Sequence, residues 1–434
     1  MSNFQTILVA IFLAFFVFAV LIFSGTIKIG GEDPADGLQG KVVIWGALPS
    51  SVFSEAIGNI GLTNTNLKLS YSAKDTSTYQ QDLIEAFAND NGPDLFVITE
   101  DMIMANDNFI YKRSYTDYPK KNFTDSFIEG ANIYLKDDSI IGLPILIDPI
   151  VLYYNKDILS NQNIIYPPSS WDQLFTMNSE ITKRDNGGMI SQSMIALGQY
   201  SNVNNVKDIL ATLLIQNDNG IVKNDILGYT STLDSNPNNL SVAPAEAVLR
   251  FFMEFSNPSN TAYSWNRSFS SSLDMFTSGK LAFYIGRASE LFNIESINPN
   301  LSFNVTEIPQ IKDSTARRTF GKIYAVVINK KSKNLASAFK VAEELSKGDI
   351  AKSLSVGASL PPVSKALLAD KPTKDPYLST FFNSAIIARS WPDPDNIKSD
   401  SVFKEMIENI LSNNLSVSEA ISKANRQLQL LIKK

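Results

Sequence analysis

Neither cysteine nor histidine occurs among the 434 residues. Without cysteine there can be no disulfide, no thiolate metal site and no cysteine nucleophile. Without histidine the chain lacks the usual general base, the commonest metal ligand and every histidine-containing triad. Any covalent chemistry would have to rest on carboxylates, lysine, tyrosine or a serine–lysine pair, and no cofactor or metal is expected. A surplus of positive charge is missing as well. Lys and Arg number 38 against 44 Asp and Glu, and the net charge of −6 argues against a nucleic-acid partner. What is present is an apolar fraction of 44%, enough for a real core, on a chain long enough for two or three domains. There is no internal repeat and no low-complexity run.

Residues 7–23 form an unbroken apolar run without a charge. Its length is at the short limit for crossing a bilayer. A cleaved signal peptide is the competing reading. No Lys or Arg precedes the run, however, and Phe23, Ser24 and Gly25 make a poor cleavage site. A lipid-modified cysteine is ruled out. We therefore expect an uncleaved transmembrane anchor within 1–25, although Lys28 lies on the side that must face outward. Residues 26–40, with their Gly, Pro34 and three acids, read as a tether.

Beyond the tether the pattern alternates. Lys41 to Gly46 reads as a buried strand, 51–60 as a helix and Leu67 to Tyr71 as a strand. Thr78 can open a helix on which Tyr79, Leu83 and Phe87 recur at helical spacing, and Gly92-Pro93-Asp94 turns into a third strand ending at Ile98. That order argues a parallel sheet covered by helices. Ser139 to Leu159 holds two apolar runs around a Gly-Leu-Pro turn, with the single carboxylate Asp148 between them. Such runs read as strands buried on both faces, with Asp148-Pro149 as a crossover between two sheets. Residues 172–216 read as mostly helical with a break at 185–188, and Ser416 with Glu419 forms a capping box before the last helix.

Three pieces in the middle of the chain carry a resemblance. They are Gly142-Leu143-Pro144, the stretch Leu152-Tyr153-Tyr154-Asn155-Lys156-Asp157-Ile158-Leu159, and Pro167-Pro168-Ser169-Ser170-Trp171-Asp172-Gln173-Leu174. With Phe276, Gly279-Lys280, Ala282-Phe283 and Gly286 further on, the chain resembles the bacterial extracellular solute-binding proteins of family 1, the maltose-binding-like branch that serves ABC sugar importers. The resemblance covers nearly all of 41–434. It implies an α/β, two-lobed periplasmic-binding-protein-like fold of type II with discontinuous lobes. Lobe one would take 41–147 and 268–318, and lobe two 149–266 and 321–434. It also implies a monomer on the outer face of the cell membrane, extracellular or periplasmic, that hands a small solute, a sugar or oligosaccharide, to an ABC permease.

In open α/β sheets, ligands bind beyond the carboxyl ends of the strands. Gly46 ends the first strand, where it either admits a ligand to the backbone or simply turns the chain. Thr99 and Asp101 follow the third strand, as ligand contacts or as a solvated acidic loop. Asp148 would face the cleft as a ligand acceptor, with a lobe-bridging salt bridge as the alternative. Sugar faces stack on aromatic rings, so Trp391 and then Trp265 are candidate platforms, against core packing. Gly286 and Arg287 end a later strand. Where the resembled family often has an aromatic residue after this glycine, Arg287 and Ala288 follow here, a departure that points away from a neutral malto-oligosaccharide. The Lys/Arg-rich stretch from Lys312 to Lys347 reads as a solvated face. Besides binding, two further functions fit the sequence: a carboxylate-based hydrolase such as a glycosidase, with Asp101 and Asp148 as its acids, and a surface sensor or scaffold of the same fold.

Overall fold

The computed structural model describes residue 16 and residues 39–433, apart from 64–65, 226–227 and 373. The expected anchor and most of the tether lie outside the described residues. Among the described residues, no helix is long and apolar enough to cross a membrane.

The elements that build the cleft are, in chain order, β1 (Gly40–Gly46), α1 (Ser50–Thr63), β2 (Leu67–Ala73), α2 (Tyr79–Ala88), β3 (Leu95–Ile98) and the long β4 (Leu143–Asn155). Then come β5 (Ile190–Ile195), α3 (Val206–Gln216), β6 (Val222–Asp225), β7 (Gly228–Ser231), β8 (Leu281–Arg287), β9 (Phe303–Glu307) and β10 (Thr319–Ile328). Three helices follow: α4 (Leu335–Ser346), α5 (Asn396–Leu411) and α6 (Val417–Ile432).

The local patterns explain the elements. On α2, Tyr79, Leu83 and Phe87 are buried on one face. Thr78 precedes that helix without a side-chain capping bond. On α6 the capping box of Ser416 and Glu419 is present. β1 pairs in parallel with both β2 and β3. β10 then joins antiparallel to β3 and to the first half of β4.

β4 is the spine of the molecule. Residues 143–149 pair with β10, Lys322 lying opposite Asp148 and Gly321 opposite Pro149. From Ile150 onward the same strand pairs with β8 on one side and β9 on the other. The change of partners therefore falls at Asp148-Pro149. A proline has no N–H to give a ladder and suits a point where pairing changes. Of the thirteen residues of β4 only Tyr154 is not fully buried. Each large apolar side chain buried there contributes about 1.5–3 kcal/mol.

The ladders correct two expectations. β8 and β9, within 268–318, pair with the second half of β4 and not with the sheet of β1 to β3. Residues 321–328 do the reverse, pairing with β3. Hydrogen bonding to β3 or to the far end of β4 decides which sheet a strand joins, and no local pattern reports it. Residues 190–195, read as helical, form strand β5 beside β8, after an Asp185–Gly188 turn that folds them back on Lys183–Arg184.

Candidate functional site

A cleft lies at the carboxyl ends of β1 and β3, beside the point where β4 joins the two halves of one ten-stranded sheet. Its first cavity, of about 380 Å³, is lined on one side by Ala47, Leu48, Gln80, Thr99 and Asp101, with Lys322 and Tyr324 of β10. Pro394 to Ile397, at the start of α5, form the opposite wall. A second cavity, of about 510 Å³, lies against Tyr200, Asn205, Lys207, Asp208 and Arg287. Asn396 and Ile397 line both. Volumes of this size suit small ligands.

The floor of the first cavity is ionic. Asp101 accepts from the Thr99 hydroxyl, and its other oxygen is 3.3 Å from the Lys322 ammonium. Burial pulls the Asp101 carboxyl upward, but Lys322, the Thr99 hydroxyl and Lys207 together outweigh it and hold the group below the usual carboxylate range. The same partnership, with Glu100 added, raises Lys322 against the effect of its burial. Lys322 and Tyr324 reach the site because residues two apart on a strand share a face.

Glu100 sits beneath this pair, almost wholly buried, and accepts from the Ile323 N–H at 3.3 Å. Burial lifts its carboxyl to about 8, Lys322 only partly opposing. Folded Glu100 is thus neutral at pH 7, whereas an unfolded glutamate titrates near ~4.3. Between those values the folded chain holds a proton that the unfolded chain has lost. The stabilising contribution is complete below the unfolded value and is lost as pH rises through about 8. Glu100→Gln removes the titration. Relative to the parent, it should gain stability on the order of a few kcal/mol between pH 5 and pH 9. Denaturant titrations across that range check this, and parallel curves for the two proteins would contradict it.

The second cavity is walled by two more pairs. Arg287 is 2.5 Å from Asp208, which, with the nearby Asp148, holds the guanidinium well above its ordinary value. The Lys207 ammonium donates to Asp393 at 2.7 Å, to the Asn396 side chain at 2.6 Å and to its carbonyl at 3.1 Å, and contacts the Ser399 hydroxyl at 3.1 Å. Lys207 and Asp208 open α3, so one helix start supplies both charges.

Of the residues expected at the site, Thr99 and Asp101 line the first cavity and Arg287 the second. The others are elsewhere. Asp148 is 2% exposed, and both of its oxygens are taken: one by the Ser289 N–H at 2.9 Å, the other by the Ser289 hydroxyl at 2.6 Å. Burial raises its carboxyl, partly offset by Arg287. It fastens β4 to the turn after β8 and lines neither cavity. Trp265 is 0% exposed, packed on Phe269 with its indole N–H on Asn202. Trp391 is 4% exposed, with its ring edge-on to Phe403. Both are core. Gly46 is required because a Cβ there would fall 2.7 Å from the Tyr71 hydroxyl, and at Gly286 one would fall 2.6 Å from the Tyr284 ring. Both glycines serve packing. Sequence reasoning missed Lys322, Tyr324, Lys207, Asp208, Asn396 and Ile397. Lys322 and Tyr324 alone carried a signal: polar residues two apart inside an apolar strand.

A family model described as bacterial extracellular solute-binding protein matches residues 61–380. A binding protein of Brucella abortus (strain 2308) is 24% identical over 253 residues, 57% of this chain and 55% of that protein. The chain spans about half the length of the curated relatives it matches. Among solved structures, a cyclo/maltodextrin-binding protein complexed with maltotetraose is 15% identical with a TM-score of 0.73, over 94% of this chain and 99% of that one. The cyclic alpha-maltosyl-1,6-maltose binding protein from Arthrobacter globiformis, also 15% identical, has a TM-score of 0.73, over 91% and 99%. At this identity the likeness is one of fold.

Proposed function

The chain belongs to the bacterial extracellular solute-binding proteins, and on that premise we propose that it captures a small polyhydroxyl solute, a sugar or short oligosaccharide, for an ABC-type importer. Two lobes close on the solute by a hinge in β4 and β10. Lobe one comprises 39–149 and 321 to about 369, and lobe two 150–320 and 376–433; the strand pairing on either side of Pro149 supports this division. Both walls of the cleft come from one chain, so a monomer suffices.

The observation that carries the reading is the character of the cleft. Asp101–Lys322, Asp208–Arg287 and Lys207–Asp393 are each paired within the protein. Such pairs offer fixed, strong donors and acceptors without demanding a charged partner. Solute hydroxyls, which both donate and accept, suit them. Structural neighbours that bind maltotetraose and cyclic maltosyl-maltose point the same way. A glycosidase would need two acids flanking one bond about 5–10 Å apart, and Asp148, the natural second acid, does not line the cleft. We therefore read the protein as a binder with no covalent step. The test is a thermal-shift screen of the full chain against sugars, oligosaccharides, polyols and anions. A sugar should raise the melting point; a response to anions alone would overturn the reading.

Membership of an extracellular family supports placing the binding domain outside the cell, and the apolar run at 7–23 supports tethering it to the membrane by an uncleaved N-terminal segment. Mass spectrometry of the membrane fraction should then recover peptides containing Met1 to Gln5. A mature terminus beyond Phe23 would refute the tether.

A further inference from the structure

Outside the lining of both cavities, one side chain of lobe two is held by lobe one. Tyr229 lies on the β6–β7 hairpin. That hairpin is fixed to α6: the Ser231 N–H donates to Gln429 at 2.9 Å, its hydroxyl meets the Asn425 side-chain oxygen at 2.5 Å, and the Leu233 N–H reaches the same oxygen at 3.1 Å. Lys136 lies on the opposite lobe, in the loop before the short strand Ser139–Ile140, where the Tyr115 hydroxyl donates to its carbonyl. The Lys136 ammonium donates to the Tyr229 hydroxyl at 2.5 Å and sits 4.3 Å from the centre of the ring. It is also 3.4 Å from Asp107, which Lys112 holds at 2.5 Å. Asp107 follows by two residues Ala105, which lines the first cavity. Burial first, then Asp107, raises the Tyr229 hydroxyl, so the phenol stays protonated and available as an acceptor.

We propose that Tyr229 is a clasp for lobe closure: a positioning residue that bonds Lys136 of the opposite lobe when the lobes meet, and so tightens solute binding without touching the solute. The inference rests on the hinged two-lobe reading. Apparent affinity in a hinged binder scales with the fraction of molecules in the binding-competent arrangement. A bond from an ammonium to a phenol, backed by a cation–ring contact, is strong enough to shift an open–closed ratio about tenfold or more. No residue of the clasp lines either cavity, so its loss should act on closure alone.

The lack of native cysteine makes the test direct. Glu85→Cys on α2 and Glu180→Cys, exposed positions on lobe one and lobe two, can carry a pair of spin labels in the full chain. Inter-label distances are measured without added solute. Tyr229→Ala and Lys136→Met should each move population to longer separations, by about tenfold in the ratio. Tyr229→Phe, which keeps the ring over the ammonium, should fall between them and the parent, with melting points unchanged throughout. A merely structural role would move the melting point and not the distances. If the parent spans a broad range of separations and Tyr229→Ala matches it, the lobes move and the clasp alone is wrong. If parent and variant share one narrow separation, the lobes do not move and the hinge reading falls with the clasp.

Discussion

Lys207→Met should destabilise the folded protein by about 3–5 kcal/mol, the cost of leaving a buried charge without its partner. Asp393, whose side chain is only 3% exposed, would lose the ammonium 2.7 Å away and keep only the Ser399 hydroxyl and the Asp395 N–H. For a domain stabilised by roughly 5–15 kcal/mol, that is a large share. Combining it with Asp393→Asn removes the orphaned charge and keeps its shape, and should restore most of the loss. Denaturant unfolding of the parent, both single variants and the double variant gives the coupling directly. Additive single effects would show that the two side chains do not act as a pair. The pair also shapes the site. Lys207 grips Asn396 by its carbonyl and side chain, and Asn396 with Ile397 forms the wall shared by both cavities. Ile397 stands 77% exposed there, next in the chain to the Asn396 that Lys207 holds.

Much of the first sheet was legible in the sequence, because β1 to β3 and the helices between them follow local periodicity and caps. So was the change of partners at Asp148-Pro149, since a lone acid beside a proline stands out in an apolar stretch, although the chain passes through it as the single strand Leu143–Asn155. The apportioning of later strands between lobes was not. Nothing in the local patterns of β8, β9 and β10 reports which half of β4 each will pair with; only their hydrogen-bond partners decide it. Nor were the ionic walls. Lys207 and Asp393 are 186 residues apart, and Asp101 and Lys322 are 221 apart. Asp101 and Lys322 could each be singled out locally, but nothing in the sequence pairs them, and Lys207 and Asp393 look like ordinary surface charges. The tryptophans misled for a related reason. Trp265 and Trp391 lie in polar stretches that read as loops, yet each ring is driven into the core by its area and satisfied there by Phe269, Asn202 or Phe403.

Asp101 is the acid on which the account of the cleft depends. It lines the first cavity, is favoured in its ionised form by Lys322, Thr99 and Lys207 together, and is oriented by Thr99. If Asp101 accepts from the hydroxyls of the proposed sugar, Asp101→Ala should remove charge-assisted hydrogen bonds worth about 1.5–3 kcal/mol. That corresponds to a loss of about one to two decades in affinity. The fold should survive, because Glu100 stays beside Lys322 as a second carboxyl partner for the ammonium. Trp391→Phe provides the contrast, since a core ring should affect stability and leave affinity within a few-fold.

The most direct measurement is titration calorimetry of the sugar that raises the melting point, on the parent, Asp101→Ala and Trp391→Phe. One sugar should bind per chain, with affinity reduced ten- to a hundredfold in Asp101→Ala and nearly unchanged in Trp391→Phe. Equal affinity in the parent and Asp101→Ala, with binding abolished in Trp391→Phe, would place the solute elsewhere and contradict it.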